Sequence, residues 1–221
     1  DVVPMGWDHF DTTPAPHDAE ILRRHGLRHG AYLLHVGTVE PRKGIEILLR
    51  AARRVATKNG RWPIPCLLIG REGWRSQTVR AELRTVGQDS VRWLRDVPDM
   101  HLPAIYRGAR FSVVPSLGEG WGFAVQESLA QGTPCIASRV GAIPEVGGDL
   151  VTYAEPGDID GLAMLIERWS SDDQLVAGMR AEIAEKLRRQ RPLPSWDAAG
   201  AQILKSAASG CTGSPIRPRE G

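Results

Sequence analysis

At 221 residues, with 42% hydrophobic and 24% charged side chains, the chain has the make-up of a globular domain and not of a disordered or fibrous one. A net charge of +2 gives no broad field for nucleic acid or an anionic membrane, so any anion site must be local. No run approaches the ~18 consecutive apolar residues of a transmembrane helix, and no secretory leader is read.

The chain opens Asp1-Val2-Val3-Pro4 without an initiator Met, as if cut from something longer. Cys66, Cys135 and Cys211 lack metal-type spacing. The first two sit in apolar runs, which predicts buried thiols in a reducing, cytoplasmic setting.

The first strand is expected over residues 32–36. Loop 37–44 carries Gly37, Thr38, Arg42 and Lys43, and leads to a helix with Ile45, Leu48, Leu49, Ala52 and Val55 on one face. A strand over 66–69 and loop 70–76 precede a helix with Val79, Leu83 and Val86 on one face and Ser76 as its cap. A third strand over 91–94 ends in loop 95–100, and a fourth over 111–115 ends in the glycine-rich loop 116–123. A helix to residue 131, a strand over 134–137, loop 138–145, a strand over 150–153 and loop 155–158 follow. Ile159, Leu162, Ile166 and Trp169 make a helical stripe capped by Asp158; Leu175, Met179, Ile183 and Leu187 make another. Residues 191–194 break the chain, Ser195 caps a short helix to about residue 206, and residues 209–221 read as a disordered tail.

Strand then helix, repeated, with the early strands apolar on both faces, predicts an α/β fold: a Rossmann-like parallel sheet with helices on both faces. Ligands in such sheets bind at the carboxyl ends of the strands. The loops after the strands are therefore where chemistry is sought.

Two of them carry it. Gly118, Gly120 and Gly122 let the backbone turn tightly and approach a ligand, and the helix start behind them offers N–H groups and a partial positive charge to an anion. Glu119 and Glu127 would repel phosphate, so they are expected to face sugar hydroxyls through charge-assisted hydrogen bonds. Read singly, Glu119 is a loop charge and Glu127 complements the helix dipole. Arg42 and Lys43, at the end of the first strand, suit a diphosphate and the charge that grows on it as it leaves. Neither a Walker A loop nor a G-x-G-x-x-G string is present.

Glu119, seven intervening residues and Glu127 resemble the E-x7-E signature of the large retaining glycosyltransferase family 4. In the same order, Val2-Val3-Pro4-Met5-Gly6-Trp7-Asp8 is similar to the stretch that opens its C-terminal lobe, and Val36-Gly37-Thr38 through Arg42-Lys43-Gly44 to its diphosphate loop. Pro115-Ser116, Gly132-Thr133-Pro134, Gly141-Ala142-Ile143-Pro144-Glu145 and Ser195-Trp196 continue the pattern. Thr38 stands where many members carry Arg, Met5 replaces the usual Asn and Trp121 a common Phe.

The resemblance implies the donor-binding, C-terminal lobe of a GT-B enzyme, spanning residues 1–208, with the acceptor-binding N-terminal lobe absent. It implies a UDP- or GDP-hexose donor and no metal or other cofactor. Lys43 and Arg42 would meet the diphosphate beside Gly37 and Thr38. Glu127 would bind the ribose, and Glu119 would touch the transferred sugar. Gly120, Trp121, Gly122, Phe123 and Ala124 would hold sugar hydroxyls and phosphate through backbone N–H groups. Arg95, Val97 and Asp99 would frame the base. Sugar would pass, with retention, to an acceptor glycan or lipid-linked glycan held by the other lobe. In that family the Gly37-Thr38…Glu40-Pro41-Arg42-Lys43 variant often accompanies mannosyl- and rhamnosyl-type transferases of cell-surface polysaccharides, so the resemblance leans that way. Some relatives dock on the inner face of a membrane through basic surfaces, whereas Lys186, Arg188, Arg189 and Arg191 here read as a solvated helix end. The open cleft face could also pair two copies. The alternatives are a sugar-nucleotide epimerase of the same architecture and a non-catalytic nucleotide-sugar-binding module.

Overall fold

The structure is a computed structural model that describes residues 5–8, 12–13, 15–87, 89–189 and 194–210, the last three by backbone alone. The strands are β1 (Leu33–Val36), β2 (Cys66–Ile69), β3 (Val91–Leu94), β4 (Phe111–Val114), β5 (Cys135–Ser138) and β6 (Val151–Ala154). All are parallel, in the order β3-β2-β1-β4-β5-β6. The helices are α1 (Asp18–Arg24), α2 (Ile45–Asn59), α3 (Gln77–Arg84), α4 (Leu102–Gly108), α5 (Phe123–Ala130), α6 (Ile143–Gly147), α7 (Ile159–Ser171), α8 (Asp173–Arg189) and α9 (Trp196–Gly210).

The expected α/β architecture is the one observed. β2, β4 and β5 are buried at every residue, because helices cover both faces of the sheet. One core lies where α2 and α7 meet the sheet: Leu48, Leu49 and Val55 face Leu162, Ile166 and Trp169, and Trp169 meets Phe111 edge-to-face at 5.4 Å. The second gathers Leu34, Leu67 and Ile69 with Ile21, Leu22, Ile105 and Tyr106 from α1 and α4. Burying one such aliphatic side chain stabilises by about 1.5–3 kcal/mol.

Asp158 caps α7 by accepting from the Gly161 N–H at 2.9 Å, and Ser195 Oγ accepts from the Ala198 N–H at 3.1 Å. Ser76 does not cap α3: it is in helical conformation and its hydroxyl donates to Glu72 Oε1 at 2.6 Å. The last helix runs on to Gly210, past the expected end, so residues 209 and 210, expected in a tail, are helical. Residues 211–221 with Cys211, and Val2, Val3 and Pro4 of the opening motif, lie outside the described residues. Cys66 and Cys135 are buried free thiols, and burial pushes each up to about 12.

From β1 the chain winds outward through β2 to β3; from β4 it winds the other way to β6. The neighbours β1 and β4 therefore part above their carboxyl ends, and this switch point is where open α/β sheets bind ligands.

Candidate active site

Two loops meet at the switch point. After β1 the chain runs Gly37–Val39 into a short 3-10 turn, Pro41–Lys43, and then α2. After β4 it runs Pro115–Gly122 into α5. A Cβ on Gly44 would stand 1.9 Å from the Pro115 carbonyl oxygen, so only glycine lets these loops approach so closely. The Leu117 N–H donates to the Arg42 carbonyl oxygen at 2.7 Å and ties them together.

Glu119 sits at the centre of this contact. Lys43 Nζ donates to its Oε1 at 2.6 Å, Ser116 Oγ to the same oxygen at 2.8 Å and Arg42 to Oε2 at 3.1 Å. Arg42 also donates to the Gly118 carbonyl at 2.9 Å and to Glu40 at 2.8 Å. Burial pushes the Glu119 carboxyl up, but the hydrogen bonds from Lys43 and Ser116 and the charges of Lys43 and Arg42 outweigh it and hold the group below its ordinary value. Glu119 is thus an anion at neutral pH. The Lys43 side chain is 18% exposed and Arg42 45%, so both cations still reach solvent.

Glu127 faces elsewhere. It projects from α5, and its Oε2 accepts from the Tyr106 hydroxyl of α4 at 2.8 Å. Tyr106 is fully buried; burial, then the Glu127 charge, drives its hydroxyl well above the ordinary value, so it stays a donor. Gly120, Trp121, Gly122, Phe123 and Ala124 form the turn into α5. The Trp121 indole N–H donates to Gln126, which in turn donates to the Gly6 carbonyl. Phe123, 40% exposed, stacks on Trp196 at 6.1 Å, and Asp8 accepts from the Trp196 N–H at 2.9 Å. The opening segment and the last helix therefore converge on the glycine loop.

Arg95, Val97 and Asp99 follow β3, the edge strand, two strands from β1. The Arg95 guanidinium lies 4.2 Å from the centre of the Trp93 ring, whose N–H donates to the Gly70 carbonyl at 2.8 Å. Val97 packs on the second core and Asp99 begins a 3-10 turn. Gly37 and Thr38 run beside the loop after β2, where the Val39 N–H donates to the Arg71 carbonyl at 2.9 Å.

Sequence reasoning missed Tyr106, the role of Ser116, and Trp93. Ser116 was legible in part, as a hydroxyl in the glycine loop; Tyr106 and Trp93 carry no local signal. His25 Nε2 and His101 Nδ1 meet at 3.0 Å, joining α1 to the turn before α4. Among the described residues no helix is long and apolar enough to cross a membrane.

The sequence matches the family "Glycosyl transferases group 1" over residues 30–172, a span that holds both loops. O-antigen chain mannosyltransferase B of Escherichia coli is 35% identical over 69% of this chain and 40% of its own length. D-inositol 3-phosphate glycosyltransferase of Salinispora arenicola is 33% identical over 93% of this chain and 48% of its own. Both matches take in less than half of the relative. Among solved structures, Anabaena HepE in complex with UDP and glucose superposes with a TM-score of 0.75 at 19% identity, over 95% of this chain and 57% of that one, a likeness of fold. The chain belongs to the group 1 glycosyltransferases.

Proposed function

We propose that this chain is the donor-binding lobe of a retaining hexosyltransferase that takes a UDP- or GDP-sugar. The observation that carries the reading is the group Arg42, Lys43 and Glu119 at the carboxyl ends of β1 and β4. Two cations there can hold a diphosphate and stabilise the charge that grows on it as the glycosidic bond breaks, at about 3 kcal/mol per well-placed donor. They would do so without a metal ion. Glu119 lies where a sugar attached to that diphosphate would follow, and its ionised carboxyl can accept from sugar hydroxyls. Glu127, one turn into α5, can accept from the ribose diol. The turn from Gly120 to Ala124 would hold phosphate and sugar through backbone N–H groups, and Arg95, Val97 and Asp99 would border the base.

The acceptor, a glycan or lipid-linked glycan, would be held by a second lobe across the cleft, where Phe123 and Trp196 present apolar surface. The likeness to an O-antigen chain mannosyltransferase supports mannose as the sugar and cell-surface polysaccharide as the setting.

Calorimetric titration of UDP and GDP in EDTA, against the wild-type chain and Glu127→Ala, tests the reading. One nucleotide should bind without metal, and the substitution should weaken it by about 2 kcal/mol or more. Binding of neither would turn the assignment to a non-catalytic lobe.

A further inference from the structure

His35 lies in β1, two residues before Gly37, and is 1% exposed. Its Nδ1 stands 2.9 Å from the carbonyl oxygen of Val113 on β4. A carbonyl only accepts, so Nδ1 carries the proton and Nε2 is left as a lone pair. Burial holds the ring's pKa down to about 4, so the ring is neutral near pH 7. Among the described residues Nε2 has no hydrogen-bond partner, although it is buried. Nothing in the donor-binding reading uses it.

Where Nε2 points narrows what it could accept from. It lies 3.5 Å from the place a Cβ on Gly37 would occupy, and Cδ and Cε of Lys43 lie 3.7 Å from the same place. The Lys43 ammonium is one bond beyond Cε. An ammonium has three N–H donors and no acceptor, and Glu119 Oε1 takes one of them. Phosphate, an acceptor when ionised, cannot serve Nε2; an ammonium can.

We propose that His35 is a positioning residue for Lys43: when the ammonium leaves Glu119 for an incoming diphosphate, His35 Nε2 accepts one of its N–H groups and fixes it at the end of β1. The ligand-bound half of this inference rests on the donor-binding reading. The exchange has a chemical consequence. Glu119 cancels the charge of Lys43, whereas a neutral imidazole orients the ammonium and leaves its charge for the phosphate.

Two substitutions separate the nitrogens. His35→Asn places a donor near the Nδ1 position and has nothing at Nε2; His35→Gln places an acceptor near Nε2. Calorimetry with UDP or GDP, whichever the wild type binds, should show His35→Asn about tenfold weaker and His35→Gln recovering most of the loss. The matching nucleoside monophosphate should change less than twofold. An unchanged diphosphate affinity in His35→Asn, or an equal loss for both nucleotides, would overturn the proposal. A second measurement needs no nucleotide. In the unliganded chain, Glu119→Ala frees Lys43, so the 15N resonance of His35 Nε2 should move, and adding Lys43→Met should reverse the movement. A resonance that stays put in Glu119→Ala overturns the pairing. Movement in a chain that binds neither nucleotide upholds the pairing and defeats the donor reading instead.

Discussion

Lys43 Nζ stands 2.6 Å from Glu119 Oε1, so a cation suited to a diphosphate is already paired with a carboxylate of the protein itself. Any anion entering the cleft competes with Glu119 for Lys43 and Arg42. Both cations keep contact with solvent, so breaking one of these pairings costs about 1 kcal/mol. Glu119→Ala is therefore expected to bind bare UDP or GDP about fivefold more tightly than wild type. The same variant should lose the preference for nucleotide-sugar over nucleotide, because the group proposed to face the sugar has gone. Competition calorimetry reads both, and weaker binding of the bare nucleotide would contradict the internal-anion account.

Acid should weaken the fold in two stages. His35 is depressed to about 4 in the folded chain, so between its ordinary value of 6.5 and 4 the unfolded chain binds the extra proton. Stability must fall across that window on acidification, by about 3 kcal/mol from this group. Burial also lowers His25, which adds to the fall in the same direction. The measurement is therefore the difference between wild type and His35→Gln in urea midpoints at pH 7 and pH 5. The slope should be shallower in the variant. Glu119, held below its ordinary 4.5, acts later: its contribution is complete above 4.5 and is lost as pH falls through the lowered value. Equal slopes in the two proteins would rule out a neutral, buried His35.

The Tyr106 hydroxyl fixes Glu127 from below, at 2.8 Å, while Thr133 Oγ1 donates to the Tyr106 backbone carbonyl at 2.6 Å. Tyr106→Phe removes the donor and keeps the ring. Glu127 then loses a charge-assisted bond. A ribonucleotide should bind about 1–2 kcal/mol more weakly, and a 2′,3′-dideoxynucleotide should bind the same to both proteins. An equal loss for both ligands would mean that Glu127 does not serve the ribose.

The sheet was legible because its buried strands are short apolar runs between glycine and proline signals, and β2, β4 and β5 are indeed covered on both sides. What escaped has physical causes. In α4 nearly every residue is buried, so Leu102, Pro103, Ala104, Ile105 and Tyr106 show no polar face for periodicity to find. α1 is too short, at 7 residues, to set up a stripe. Ser76 has the right chemistry for a cap, but Glu72, which also draws Arg80 at 3.1 Å, takes its hydroxyl. Within the site, the motif spacing identified Glu119 and Lys43 singly. Their pairing spans 76 positions and depends on how two loops cross. His35 sits in the core, and that its second nitrogen is stranded depends on Val113 taking the first.

The loop after β5 braces Glu119 from the other side. Gly141 has φ +55, and a Cβ there would stand 2.0 Å from the Glu119 carbonyl oxygen, a backbone atom that no side-chain rotation can move away. Gly141→Ala therefore adds a collision to the ~1–2 kcal/mol that an L-residue loses in the left-handed region. Gly157, at φ +82 with nothing within 4 Å of the added carbon, isolates the second effect alone. Gly157→Ala should lower the melting temperature by about 2–8 °C and leave nucleotide binding intact. Gly141→Ala should lower it several degrees further, and the displaced loop should pull Glu119 from Lys43 and Arg42. Its nucleotide affinity should then move with that of Glu119→Ala, while its stability falls well below. If the two glycine variants melt together, the contact between Gly141 and the Glu119 backbone does not hold the loop, and the geometry of the carboxylate must be set by Lys43, Arg42 and Ser116 alone.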